Sequence, residues 1–461
     1  MSGQKSLDPI FNPRSVAIVG ASKDINKGGG MFLWGLGLSG YEGKLYPVNP
    51  KETEINSLRC YPSIRDVPEV VDLAILTVSN RFIPLVLEEC GQKGVRHVVV
   101  HSAGFGEIDE AGRMLEQQIT DLARKYGLSL VGPNCMGVSN PEIGLNTIVP
   151  NKVFAKEKGV FSYVGQSGWG TENILLMCRE RGVRPRHFVS SGNQTDLSLI
   201  DYLEHFARDE ATRFIGAYVE GLKRADRFVR ALKPIARRKP FLLLKGGRSP
   251  AGNRAALSHT GSLAGSSAVF EGAVRQTGAI RVGNLEEMVD AAVAFSSPFY
   301  PSGKRVGLVV EAGGAAVTAA DFCEEMGLEV PKLSEEVRSR LEKMVKGVLP
   351  PTAGLSNPVD LVWPPADLAL EIVTQTMRHI SAEVDSYLFV TYQPFDDPKF
   401  VEAVVRVRDD LGKPLFVVPG HHTENRQHMA AVTQAGLPSF ATPYRACKAL
   451  AALTRFSTAS P

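Results

Sequence analysis

Cysteine is scarce and scattered in this chain: six residues in 461, at positions 60, 90, 135, 178, 323 and 447, with no CxxC pair. That spacing excludes a zinc cluster and a disulfide framework, so no metal site is expected and the thiols read as reduced ones in a cytoplasmic protein. Net charge is nearly absent, +3 at neutral pH. No basic face is required, and no RRM, zinc finger or arginine-rich arm occurs, so nucleic acid is not an expected partner. Long apolar runs are missing as well. The opening MSGQKSLDPIFNP lacks the charged-then-apolar order of a signal peptide, and no stretch approaches transmembrane length, so no membrane contact is expected. Two catalytic fingerprints are also lacking. The strict GxGxxG of dinucleotide-binding turns is absent, and around Ser167 the hydrolase pattern GxSxG fails because Trp169 stands where its second glycine belongs.

Glycine, by contrast, is plentiful, with 44 residues, which suits α/β layers joined by tight strand-to-helix turns. At about 100–200 residues per domain the length suggests three domains. Three stretches share one grammar, an apolar run ending in a glycine-rich turn before a helical pattern: SVAIVGAS at 15–22, GVFSYVGQSG at 159–168 and RVGLVVEAGG at 305–314. Continuous apolar runs of this kind suit strands buried on both faces of a parallel sheet. Strands are predicted at 15–20, 44–48, 72–78, 95–100 and 128–131, then at 159–164, 187–190, 213–219 and 240–244, and finally at 305–310, 386–391 and 415–418. The helical patterns between them imply right-handed βαβ units. Boundaries are expected near Pro150 and in the Pro/Gly/Ser-rich stretch from Ser296, giving domains 1–150, 151–300 and 301–461.

The first turn, from Gly20 through Ser22 and Lys23, serves equally as a tight βα connection or as a cradle of N–H groups for a phosphate. YPVNPK at 46–51 ends the second strand. An acidic residue there would suit a ribose diol, whereas Lys51 suits a phosphorylated ribose or is simply a solvated loop residue. SAGFGE from Ser102 and GPNCMG at 132–137 follow strands at the ends where ligands of open α/β sheets bind, and Asn134 offers an amide that donates and accepts. Cys135 has no partner nearby in sequence and is assigned no catalysis. Gln166, Ser167 and Gly168 lie between a strand and a helix, where N–H groups form an anion cradle. Glu220 ends the strand FIGAYV, where a carboxylate could hold one imidazole nitrogen and leave the other nucleophilic. Among nine histidines His259 stands out, because it follows KGGRS and RAALS and precedes TGSLAG; small residues allow close approach to a phosphate and nearby cations favour one.

Taken together these motifs resemble the α subunit, or α half, of NDP-forming acyl-CoA synthetases (acetate-CoA ligase, ADP-forming) in the succinyl-CoA synthetase superfamily. The resemblance rests on SVAIVGAS, YPVNPK, VDLAIL, SAGFGE and VGPNCMG; on YVGQSG, SSGNQTDLSLIDYLEHF and GAYVEG; on KGGRSPAGNRAALSHTGSLAG; and on SNPVDL with FATPYRACKAL. It implies an α/β chain with an N-terminal Rossmann-like CoA-binding domain, two flavodoxin-like succinyl-CoA-synthetase-type ligase domains, and no ATP-grasp domain. It also implies a relay in which phosphate passes from a nucleotide to a histidine and then to a carboxylate, giving an acyl phosphate that the CoA thiol displaces. His259 matches the phosphorylated residue and Glu220 the acid beside it. Gln166, Ser167 and Gly168 match the phosphate cradle, and Gly20, Ser22, Lys23, Lys51, Ser102 and Asn134 the CoA side. The expected cofactors are CoA, and ADP or ATP with Mg2+ held by a separate ATP-grasp β subunit; the expected substrate is a small or medium carboxylate. The expected assembly is a hetero-oligomer, or a homodimer of α chains. Trp169 and Glu311 depart from the family pattern. Trp169 and the missing nucleotide module motivate a competing expectation, a CoA- or acyl-CoA-responsive binding or regulatory protein on a catalytically degenerate scaffold.

Overall fold

A computed structural model of the chain describes residues 6–222, 225–260, 267–393, 397–420 and 428–459. Two compact units are present, one comprising Met1–Leu176 with Arg184–Leu285, the other Met177–Val183 with Glu286–Pro461. The first holds two large, mainly parallel sheets and a two-stranded antiparallel one, and the second holds one mainly parallel sheet. Among the described residues no helix is long and apolar enough to cross a membrane.

In the first sheet the strands lie in the order Lys44–Val48, Ser15–Val19, Leu73–Leu76, His97–Val100 and Ser129–Val131, all parallel. Ser15–Val19 is buried along its whole length, which is why its sequence is a continuous apolar run rather than an alternating one. The connecting helices carry their own stop signals. Glu110–Tyr126 starts at Asp109, whose side chain accepts the Gly112 N–H, and ends at Gly127 in the left-handed conformation.

The second sheet has the order Ile280–Val282, Phe241–Lys245, Phe214–Val219, Phe161–Gly165 and Pro185–Ser190, extended at its edge by Gly137–Asn140 and Leu145–Asn146. Those two edge strands precede residue 150 yet pair antiparallel with the second sheet. Their polar sequence gives no strand pattern: Ser139 and Asn140 are both buried, and the Asn140 amide donates to Phe11 O and Asn12 Oδ1 while its Oδ1 accepts the Glu142 N–H. One continuous hydrophobic core, including Ile18, Ile75, Val99, Val164, Ile215 and Phe241, runs through both large sheets of this unit, and a second, including Ala17, Leu76 and Val98, covers the other face of the first sheet.

The sheet of the second unit has the order Gly354–Leu355, Val359–Asp360, Val306–Val310, Ser386–Thr391 and Leu415–Pro419. In the same unit Asp290, buried, accepts from Arg181 at 2.8 Å and from Arg445 at 2.5 and 2.9 Å. A carboxylate so placed is compensated by two guanidinium groups, and removing it would strand both cations.

The three large sheets share one topological feature. The chain leaves the strand Ser15–Val19, Phe161–Gly165 or Val306–Val310 toward one neighbour and later returns to the other side. A crevice at the carboxyl ends of the strands results, the usual ligand position in open α/β sheets. Gly20 and Thr77 border it in the first sheet, Gln166 and Glu220 in the second, Glu311 and Tyr392 in the third.

Candidate active site

Glycine at position 20 is required by both conformation and space. Its φ is +92°, and a Cβ there would lie 2.7 Å from Thr77 Oγ1. The turn therefore presents bare backbone, with the Gly20 N–H and Ala21 N–H both given to Val48 O and the Asn49 amide holding Ala21 O at 2.8 Å. The Ser22 hydroxyl accepts the Asp24 N–H, the Lys23 ammonium pairs with Glu52 at 2.6 Å, and Lys51 is exposed.

A cavity of about 540 Å³ lies in the same unit, and most of its walls come from residues that follow strand ends. From the first sheet come His101, Ser102, Asn134 and Met136; from the second, Gln166, Ser167, Gly168 and Glu220. The structure thus brings Ser102 and Asn134, expected on the CoA side, together with all three residues of the expected phosphate cradle and with the acid. Gly20, Ser22, Lys23 and Lys51 are not among its lining residues. His259 lies in the last turn of the helix Pro250–Thr260; its side chain, and residues 261–265 of the TGSLAG run, lie outside the described residues.

Glu220 stands on a turn whose backbone is held on every side. Gln166 Oε1 accepts the Glu220 N–H at 2.5 Å and the Gly221 N–H at 3.1 Å, and Gln166 Nε2 donates to Gly221 O at 2.9 Å. Lys245 completes the set by donating to Glu220 O at 2.6 Å and Gly246 O at 2.5 Å. Two side chains from the flanking strands therefore fix all four backbone polar groups of residues 220 and 221. Lys245 is buried, and burial lowers its pKa against the opposing pull of the Glu220 carboxylate. Tyr218 hydrogen bonds the same carboxylate, and its pKa is raised, first by burial and then by that negative charge.

This arrangement refines the role of Gln166. Its N–H goes to Tyr218 O and its carboxamide goes to the Glu220 turn, so one Nε2 hydrogen is all it retains for a ligand. Ser167 begins the helix Gly168–Glu180, where its hydroxyl accepts the Gly170 N–H at 3.1 Å. Trp169 is 69 % exposed, so its ring borders the cavity without filling it.

The opposite wall is a polar chain. Asn134, at φ +57°, donates its own N–H to Ser102 O, and its side-chain amide reaches Asn193 Oδ1 at 3.4 Å. Asn193 in turn donates to Glu107 at 2.6 Å and Glu116 at 3.0 Å. Burial alone would raise the Glu107 pKa, but Asn193 and the N–H groups of Gly104 and Phe105 hold it below the usual carboxylate range. Cys135 is no nucleophile, because burial pushes its pKa up to about 12. Sequence reasoning missed His101, Asn193 and Lys245 as members of the site. Lys245 and Asn193 do lie within quoted motifs, but their partners are far away in the chain.

Residues 14–141 match the family model described as a CoA binding domain, and residues 158–295 match that of a succinyl-CoA ligase-like flavodoxin domain. The chain is 37% identical over 460 residues to the acetate–CoA ligase [ADP-forming] I subunit alpha of Pyrococcus furiosus, covering 98% of each. It belongs to the α subunits of the ADP-forming acyl-CoA synthetases. A longer acetate–CoA ligase [ADP-forming] of Methanocaldococcus jannaschii is 41% identical over 77% of this chain and 49% of its own length. Among solved structures, the dinucleotide-forming acetyl-coenzyme A synthetase 1 of Ca. Korarchaeum cryptofilum, in complex with phosphate and ADP, superposes with a TM-score of 0.86 at 30% identity, covering 98% of this chain and 97% of that one. As an ADP-forming synthetase α subunit the chain is a ligase that uses CoA and an adenine nucleotide and works with a partner subunit. Similarity over the full length to named ligases supports this over a binding protein on a degenerate scaffold.

Proposed function

We propose that this synthetase α subunit, completed by an ATP-grasp β subunit that binds the nucleotide with Mg2+, interconverts acyl-CoA, ADP and phosphate with a small or medium carboxylic acid, CoA and ATP. His259 carries the phosphoryl group and Glu220 orients its imidazole. The phosphate rests against Ser167, the start of the helix at Gly168 and the remaining Nε2 hydrogen of Gln166. CoA lies with its phosphates on the turn from Gly20 to Lys23 and its ribose phosphate near Lys51, and its pantetheine arm passes Ser102 and Asn134. On this reading residues 1–150 bind CoA, 151–300 hold the phosphohistidine segment and 301–461 form the second ligase domain. Chemistry of this kind needs positioned dipoles and charges more than covalent machinery, which is what the cavity offers.

The observation that carries the reading is the Glu220 turn, held by Gln166 and Lys245 in a cavity that also contains Ser102 and Asn134. Incubating the chain with acyl-CoA and radiolabelled phosphate is expected to label the wild-type protein and not His259→Ala. Equal labelling of the two would overturn the assignment.

A further inference from the structure

His101 stands at the end of the strand His97–Val100, on the wall of the cavity that also contains Glu220. Its Nδ1 lies 2.7 Å from Cys135 O. A carbonyl only accepts, so the proton belongs on Nδ1 and the lone pair on Nε2. The ring is fixed edge-on against Phe32, with centroids 4.8 Å apart and an interplanar angle of 81°. Its free edge faces Gly28, where a Cβ would lie 3.5 Å from both Cδ2 and Nε2. Glycine at that position leaves the nitrogen open, on the side toward the turn assigned to the CoA phosphates. The imidazole therefore sits where the two halves of the proposed site meet, locked in one tautomer and basic at the nitrogen left open.

We infer that His101 Nε2 accepts the proton of the CoA thiol as the sulfur attacks the acyl phosphate. The inference rests on the function proposed above. In this step the S–H bond breaks and its proton moves to Nε2, the sulfur lone pair forms the C–S bond, and the C–O bond to phosphate breaks with its electron pair leaving on phosphate. In the reverse direction the Nε2–H returns the proton to the departing thiolate. Burial lowers the His101 pKa, against the opposing effect of the Cys135 carbonyl, so the ring is neutral and able to accept at neutral pH. The other charged or titratable groups facing the cavity are Arg113, Glu116 and Glu220, with Cys135 held as the neutral thiol by burial. The helix Gly28–Leu38 that packs against the ring has no charged residue.

His101→Asn separates this role from packing, because its amide Nδ2 takes the place of the imidazole Nδ1 as donor to Cys135 O but offers no basic nitrogen. With the partner subunit present, acyl phosphate formation from acid and ATP can be trapped by hydroxylamine without CoA, and thioester formation followed separately with CoA. The expected result is trapping within about twofold of wild type and thioester formation lowered about 100-fold, the lower range for general-base catalysis. An acidic limb in the wild-type pH profile of thioester formation, with an apparent pKa below 6.5, is expected to vanish in the variant. His101→Gln, which puts an amide where Nε2 stood, gives a second measure of the same loss, and calorimetric binding of CoA lacking its thiol should be unchanged in both variants. Thioester formation at the wild-type rate, an acidic limb that persists, or an equal loss in both half-reactions would overturn the assignment. Failure of the wild-type enzyme itself to form a trappable acyl phosphate would instead remove the relay reading, and this proposal with it.

Discussion

The crests of the second and third sheets solve the same geometrical problem with different chemistry. In each, the residue just after the first central strand sends a long polar side chain across the crevice to the end of the neighbouring strand. In the second sheet this is Gln166, whose amide both accepts from and donates to the Glu220 turn. In the third it is Glu311, buried, which accepts from Thr391 Oγ1 at 2.8 Å, Tyr392 N–H at 2.7 Å and Gln393 Nε2 at 3.1 Å. The carboxylate at position 311 finds donors only, so its charge is satisfied where it lies. The neutral amide at position 166 spans a turn that itself carries the carboxylate, and leaves Glu220 the acid of that crest. The third crest is also strained, with Val362 at φ +43° and Trp363 at φ +55° beside the Glu311 carbonyl, whereas Glu220 has ordinary backbone geometry. A buried charge at the crossing position is therefore compatible with this architecture; on the function proposed above, the neutral crossing residue leaves Glu220 as the acid of its crest.

That contrast can be broken by experiment. The largest effect is expected from Glu220→Gln, which should lower acyl-CoA formation with the partner subunit by about 100-fold, as loss of an orienting carboxylate does elsewhere, while CoA binding measured by calorimetry stays unchanged. Gln166→Glu imposes the third-sheet chemistry on the second. It replaces the donor to Gly221 O with a second carboxylate, and is expected to cost about 1–3 kcal/mol in urea unfolding together with a clear loss of phosphohistidine labelling. The reciprocal Glu311→Gln keeps acceptors for Thr391 and Tyr392 and should cost only about 1 kcal/mol by the same measurement. If Glu311→Gln proves the more damaging of the two, the distinction drawn between the crests is wrong. The smallest change is expected from Val362→Gly, where relief of a left-handed β-branched residue should slightly exceed the added chain entropy and raise stability by up to about 1 kcal/mol.

Much of the architecture was legible in the sequence, for a simple reason. Strands buried on both faces must be apolar throughout, and the turns that end them must admit close backbone approach, so SVAIVGAS, GVFSYVGQSG and RVGLVVEAGG announce themselves. Gly137–Asn140 did not, because its buried Asn140 finds the acceptors for its amide at Phe11 and Asn12, far away in the chain. Glu220, Ser102 and Asn134 were recognisable by their position at strand ends, and the cavity contains all three. His101 occupies an equally telling position, yet nothing local distinguishes it from other histidines. Its tautomer is set by the backbone of Cys135, and its open edge by the glycine at 28.

By itself the sequence determined where the apolar central strands and the glycine-rich turns fall and in what order the motifs run, and that order was enough to reach the family. These are local properties, set by burial pattern and backbone freedom within a few residues. Only the tertiary structure decided that Gln166 serves the acid turn more than the phosphate, that Lys245 closes that turn from the other side, and that His101 stands open in the same cavity. Gln166 is 54 residues from Glu220, and Lys245 is 25 from it. Parallel strand order, with its change of direction at Phe161–Gly165, is what makes these distant residues neighbours.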